Sequence, residues 1–280
     1  MNLIQAILMG IVQGLSEFLP ISSSAHLVFT SNFYKVAANV PIQAHTSQEI
    51  FFDIMVHLGT LAAVIIFFRK DLIKIIKAFC HALGSRNWSE KEAQLGLFII
   101  LGTIITSVVA VPLNNFAEFM VYKPELVGAF LIITGIILFF SEHMSKNTEN
   151  KKETLNLKNA VIIGLAQGLA AIPGFSRSGW TIAAGLFSGL DRLTAARYSF
   201  LLSIPIILGA SMVYPLVEID IHEALSYNWT AIAAGTVVSG IVGYLCIKYF
   251  MKFLSKFSMN IFGWYCLIMG LFAMIFFTIY

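Results

Sequence analysis

Apolar residues run along this chain in long blocks separated by short polar segments. The blocks occupy 52–68, 95–113, 126–140, 198–217, 229–247 and 261–280. Each approaches the ~20 residues that carry a helix across a hydrocarbon layer of ~30 Å. The pattern therefore predicts six transmembrane helices. The two-residue alternation and turn punctuation of a membrane barrel are missing.

Two further apolar regions, 2–34 and 159–190, are interrupted, the first by Pro20 and a run of serines, the second by Pro173-Gly174. The arms 159–172 and 179–190 would reach only about 21 Å and about 18 Å as helices, too short to cross. Proline also disfavours helix at the residue before it. Each region thus predicts a re-entrant helix–loop–helix whose tip lies within the membrane.

Composition supports the membrane reading. The 280 residues are 58% hydrophobic and 12% charged, against roughly 45–50% and about 25% in soluble domains. No basic block of the kind that grips nucleic acid is present. The opening MNLIQAILMG has neither a positive leader nor a small-residue cleavage site and is read as mature structure. Cys80, Cys246 and Cys266 show no disulfide or zinc spacing and are read as small apolar filler.

The placement of charge orients the chain. Arg69, Lys70, Lys74, Lys77, Arg86 and Lys91 fall in 69–91; Lys146, Lys151, Lys152 and Lys158 fall in 142–158. Arg192 and Arg197 form a third basic loop, and Lys248, Lys252 and Lys256 a fourth, whereas 217–228 carries Glu218, Asp220 and Glu223 with no Lys or Arg. Basic loops mark the cytoplasmic side. The expected topology is a multi-pass protein of the cell (inner) membrane with 35–50, 114–125 and 217–228 outside. Parity then makes the first hairpin start and end outside and the second inside.

The hairpins also repeat. At a constant offset of 154, Ala6, Gly10, Gln13, Gly14, Leu15, Ser22 and Ser24 match Ala160, Gly164, Gln167, Gly168, Leu169, Ser176 and Ser178. The expected fold is all-α, a single membrane domain of two inverted repeats, about 1–145 and about 155–280. Each repeat holds one re-entrant hairpin and three transmembrane helices. Inverted repeats with broken helices place a binding site where the breaks meet.

Glu17 and Arg177 are the charges that such a fold must explain, since a charge at the bilayer centre costs at least ~2.5–3.5 kcal/mol. A pair that merely joins the halves is the alternative to a functional role. Ser22, Ser23 and Ser24 either cap the next helix or, with Ser176, Arg177, Ser178 and Thr181, line an oxyanion pocket. Arginine suits bidentate phosphate contact, and amides at helix starts around Gly174 favour anions. His26 beside the serines suits proton transfer. Gln13 and Glu17 share a helix face and can hold a hard divalent cation such as Mg²⁺ or Ca²⁺ through oxygen. Asp53 and His57, also one turn apart, fit polar capping and a supporting role equally well. Asp191 reads as a helix cap.

These residues resemble the undecaprenyl pyrophosphate phosphatase family of the bacitracin-resistance type. One family motif is matched by Gln13, Glu17, Ser22, Ser23 and His26. The other is matched by Pro173, Gly174, Ser176, Arg177, Ser178 and Thr181. The stretches beginning at Phe51 and Ser199 also look like family sequence. Departures are Ser24-Ala25 in the first turn, and Phe175 and Trp180 near the second.

The resemblance implies hydrolysis of undecaprenyl pyrophosphate to undecaprenyl phosphate and phosphate, with a divalent cation and a site open to the outer face. It further implies that Arg177 and the turn amides bind phosphate and that Glu17 and Gln13 hold the metal. Ser23 then attacks phosphorus, or positions a metal-bound water, with His26 as proton carrier. A lipid-phosphate transporter of the same architecture is the rival reading. The partners expected are a polyprenyl pyrophosphate lipid and the bilayer; a homo-oligomer is left open.

Overall fold

A computed structural model describes residues 2–37, 46–146, 153–218 and 224–279, and among these the chain is a bundle of eleven helices. Of the charges used to orient the chain, Lys151, Lys152, Asp220 and Glu223 lie outside the described residues.

The first hairpin is α1 (Leu3–Ser16) and α2 (Ser23–Ala37); α3 (Ser47–Phe67), α4 (Arg69–Ser85), α5 (Lys91–Val121) and α6 (Pro124–Lys146) follow. The second hairpin is α7 (Leu157–Leu169) and α8 (Arg177–Phe187), then α9 (Arg192–Glu218), α10 (Trp229–Leu254) and α11 (Asn260–Ile279). Six of these helices, α3, α5, α6, α9, α10 and α11, are long and apolar enough to cross a membrane. They cover the six apolar blocks to within one residue and extend beyond most of them. The hairpin arms are shorter, 14 and 15 residues in the first and 13 and 11 in the second.

The distribution of side chains suits lipid as solvent. Ile100, Ile104, Val108 and Val111 form an exposed apolar stripe along α5, as do Ile268, Leu271, Ile275 and Ile279 on α11. Gln13, Glu17, Thr106, Thr134, Glu142, Gln167 and Ser239 are buried within the bundle. Polar groups face inward because only there do they find partners. Buried Glu142, for example, binds Arg192 Nε at 2.8 Å and the Met259 amide at 2.9 Å.

One expectation is corrected. The basic segment 69–91, read as a loop, contains the helix α4, which has no counterpart among the described residues of the second half. Ile75, Ala78 and Ala82 face α5 while Lys70, Lys74 and Lys77 are exposed. Its apolar positions at i, i+3 and i+7 form a helix stripe hidden among the lysines.

The glycines matched across the repeat do matched work. A methyl group on Gly10 would lie 2.5 Å from the Gly235 carbonyl oxygen, and one on Gly164 would lie 3.1 Å from that of Gly102. So α1 packs backbone to backbone on α10, and α7 does the same on α5, the small-residue contact that dominates helix packing in lipid. This docking brings both hairpin tips to the middle of the bundle.

Candidate active site

The two tips are built alike. Ser22 Oγ accepts the amide of Ala25 at 3.3 Å, and Ser176 Oγ accepts that of Gly179 at 3.1 Å. Each serine thus satisfies one of the orphan amides of the arm that follows. Each also faces the serine two residues on, Ser24 at 3.2 Å and Ser178 at 3.3 Å. The left-handed backbone falls on Ser22 (φ 69°) in the first tip and on Gly174 (φ 97°) in the second. A non-glycine residue there stores on the order of 1–3 kcal/mol, which tends to persist where function needs it.

Hydrogen bonds stitch the tips together. Ser22 Oγ reaches the Phe175 carbonyl at 3.4 Å, and Ser178 Oγ donates to the Leu19 carbonyl at 2.8 Å. Thr181 Oγ1 donates to the Arg177 carbonyl at 2.7 Å and lies 2.6 Å from Ser199 Oγ on α9. The hydroxyls of Ser22, Ser176, Ser178 and Thr181 therefore position the loops. Of the two readings of the serines, capping is the one these bonds match. Strained and capped backbone must be held by something, and these side chains hold it.

Glu17 is the hub of what remains. It is 5% exposed and caps the C-terminal end of α1. Gln13 Nε2 donates to its Oε2 at 2.9 Å, and Ser23 Oγ donates to the same oxygen at 2.6 Å. Arg177 Nη2, from the other tip, pairs with Oε1. His57 Nε2 lies 3.7 Å from Oε2. A carboxylate with this many donors is held in one orientation.

Two atoms around the hub are left open. Arg177 Nη1 and Gln13 Oε1 are buried without a hydrogen-bond partner. Such atoms are costly unless a ligand completes them. Not all amides of 174–178 are open, contrary to expectation. That of Phe175 binds the Ile172 carbonyl at 3.1 Å, and that of Ser176 binds Thr134 Oγ1 at 3.3 Å. Those of Arg177 and Ser178, first in α8, have no acceptor within their helix.

The histidines divide differently from the sequence reading. His26 Nδ1 lies 2.8 Å from the Ser22 carbonyl and Nε2 lies 2.7 Å from the Tyr265 hydroxyl. Both ring nitrogens therefore have partners other than Ser23 and Glu17. His57, weighed equally as a cap and as support, is the histidine beside Glu17, with Nδ1 2.7 Å from the Asp53 carbonyl. Asp191 is the cap expected, its Oδ1 accepting the Leu193 and Thr194 amides at 2.9 and 3.0 Å.

Two site residues went unseen in the sequence. Thr134 on α6 accepts from the Ser176 amide and from Trp180 Nε1 at 3.2 Å, and donates to the Gly174 carbonyl at 3.1 Å. Tyr265 on α11 holds His26. Both sit in apolar runs, where a single hydroxyl gives no periodic signal.

A family model described as bacitracin resistance protein BacA matches residues 6–272. The chain is 41% identical over 280 residues to a protein of Methanobrevibacter smithii named undecaprenyl-diphosphatase, covering 97% of this chain and 96% of that one. It is 39% identical over 285 residues to the undecaprenyl-diphosphatase of Methanosphaera stadtmanae, covering 98% of each. Undecaprenyl-diphosphatase 1 of Pseudoalteromonas translucida is 38% identical over 279 residues, with full coverage of both chains.

Proposed function

Because the chain belongs to the bacitracin resistance protein BacA family, we propose that the cluster around Glu17 is where its lipid substrate loses a phosphate. The protein is a membrane phosphatase that hydrolyses undecaprenyl diphosphate to undecaprenyl phosphate and phosphate. The product re-enters the lipid-carrier cycle of cell-wall synthesis, in keeping with the resistance to bacitracin that the family is named for.

The observation that carries the site assignment is the meeting of Ser23 and Arg177, from opposite tips, on one buried carboxylate. A nucleophile, its base and a phosphate-binding cation are thereby within one side chain of each other. The polyprenyl tail stays in lipid between helices while the diphosphate enters between the tips. Arg177 Nη1 and the first amides of α8 take the terminal phosphate and stabilise the charge that spreads over its oxygens.

Ser23 Oγ attacks the terminal phosphorus. Its proton passes to Glu17 Oε2, the Oγ–P bond forms, and the bond to undecaprenyl phosphate breaks. That leaving group departs as an anion and needs no proton. Water then attacks the phosphoserine. His26 takes a proton from the water, Glu17 returns its proton to Ser23 Oγ, and phosphate is released carrying the proton that His26 gives up.

Gln13 and Glu17 fit a divalent cation, Mg²⁺ or Ca²⁺: the amide supplies an unpartnered buried oxygen and the carboxylate a neighbouring charge. Bound there by Gln13 and Glu17, such a cation would supply positive charge to offset that of the diphosphate.

The halves about 1–145 and about 155–280 are opposed in the bilayer. The basic segments, α4 among them, face the cytoplasm across the cell (inner) membrane, and the first hairpin opens the site to the outer face. The charge bias of the segments supports this placement.

The test is phosphate release from a C15 or C55 pyrophosphate by purified protein. Release that is lost in Glu17→Ala and Arg177→Ala supports the assignment. Full turnover in either variant removes it, and binding without turnover in the wild type favours a lipid-phosphate transporter.

A further inference from the structure

We infer that Tyr265, on the last transmembrane helix, orients His26 in the hydrolysis half-reaction and relays to it the proton of the attacking water. The inference rests on the reading of His26 as the base that deprotonates water.

A backbone carbonyl only accepts hydrogen bonds. His26 Nδ1, 2.8 Å from the Ser22 carbonyl, therefore carries a proton. Nε2 is then the lone-pair nitrogen of the neutral ring, and the Tyr265 hydroxyl, 2.7 Å away, donates to it. The two rings lie nearly parallel, 14° apart with centroids 5.6 Å apart, so the imidazole is fixed in plane as well as by its ends. Fixing one tautomer and one orientation is what a histidine base requires.

The device spans the fold. Ser22, whose carbonyl holds Nδ1, is the residue in the left-handed conformation at the first tip. Tyr265 comes from α11, on the other half of the chain. Relaxing the turn at Ser22 would swing its carbonyl away from Nδ1, so the strained backbone and the tyrosine together define one imidazole pose. A second contact ties the same tip to α11: Cys266 Sγ lies 3.5 Å from the Pro20 carbonyl. The Tyr265 hydroxyl gives its proton to Nε2 as it takes one from the incoming water, so the hydrogen bond to His26 carries the transfer. The ring stack keeps the imidazole in place meanwhile.

The experiment uses the purified full chain with farnesyl pyrophosphate, measuring kcat, KM and phosphoserine at position 23 in quenched enzyme. Tyr265→Phe keeps the stack and loses the hydroxyl. It is expected to lower kcat about 10-fold, less than the ~10²–10⁴-fold of a general base lost outright, with KM falling in proportion, kcat/KM unchanged and phosphoserine accumulating. His26→Gln should accumulate phosphoserine as well, and the double variant should be no slower than His26→Gln alone. The unchanged kcat/KM shows that the site has folded. Wild-type kcat in Tyr265→Phe overturns the inference, as does a loss that adds in full to that of His26→Gln. Wild-type kcat in His26→Gln instead removes the base reading on which it rests.

Discussion

Ser23 and Gln13 donate to the same oxygen of Glu17, at 2.6 Å and 2.9 Å. The two hydrogen bonds place the serine proton on the carboxylate, with the amide fixing which way the carboxylate turns. A base that orients its nucleophile contributes typically 10²–10⁴-fold. Glu17→Gln, which keeps the shape but accepts a proton poorly, should lower kcat by about that factor. Ser23→Ala should lose turnover and yield no phosphoserine. Phosphate release and mass spectrometry of quenched protein check both; turnover retained in Ser23→Ala would assign the attack to water.

Arg177 divides its guanidinium between two tasks, Nη2 on Glu17 and Nη1 left for the substrate. Lysine cannot reproduce that fork. Arg177→Lys should therefore fail to rescue, losing on the order of 10²-fold in kcat, as for removal of one oxyanion donor. Stability should respond in a second way. Removing one partner of a buried pair costs about 3–5 kcal/mol because the other charge is stranded. Arg177→Met alone should unfold at a lower temperature than Arg177→Met combined with Glu17→Gln. Thermal unfolding in detergent measures the order.

The helices and the two breaks were legible because apolar length, proline and repeat spacing are properties of the chain itself. Gly10 and Gly164 match at the 154-residue offset of the repeat. What the sequence could not show is how tightly each packs: a methyl on Gly10 meets the Gly235 carbonyl at 2.5 Å, whereas on Gly164 it meets the Gly102 carbonyl at 3.1 Å. The former requires backbone to move, the latter only a few tenths of an ångström. Gly10→Ala should cost about 1–3 kcal/mol by overpacking and Gly164→Ala clearly less, read as unfolding midpoints. Equal effects would mean that the two halves dock alike.

Partner choice was the illegible part of the site. His26 and His57 each sit near motif residues, and each sends Nδ1 to a backbone carbonyl of its own helix region. Which of them meets Glu17 depends on how α3 packs against the first hairpin, a long-range fact with no local signature. In the same way α4 was hidden because its lysines were read for topology and its apolar stripe was not read at all.

Gln13 offers the cation an amide oxygen, and its Oε1 is buried without a partner. Gln13→Ala should raise the cation concentration needed for half-maximal turnover, whereas Gln13→Glu should lower it, since a carboxylate binds Mg²⁺ or Ca²⁺ more strongly than an amide. Titration of chelator-stripped protein with either ion gives the comparison. An unchanged requirement in Gln13→Ala would place the cation on other ligands.

Thr134 shapes the phosphate turn from outside it. Its hydroxyl oxygen receives the Ser176 amide and the Trp180 indole N–H while giving its own proton to the Gly174 carbonyl, and the residue is fully buried. Valine has the same outline and none of these bonds. Thr134→Val would strand two buried donors and one acceptor, at about 1–3 kcal/mol for each group left unsatisfied. The released Ser176 amide and Gly174 carbonyl would let the turn carrying Arg177 relax. The expected result is a lower unfolding temperature and a kcat/KM reduced by at least about 10-fold, the loss from ~1.4 kcal/mol of transition-state binding. Thr134→Ser keeps the hydroxyl and should stay near wild type in both. If valine and serine behave alike, packing on α6 rather than hydrogen bonding holds the turn, and the amides at the start of α8 are positioned by Ser176 alone.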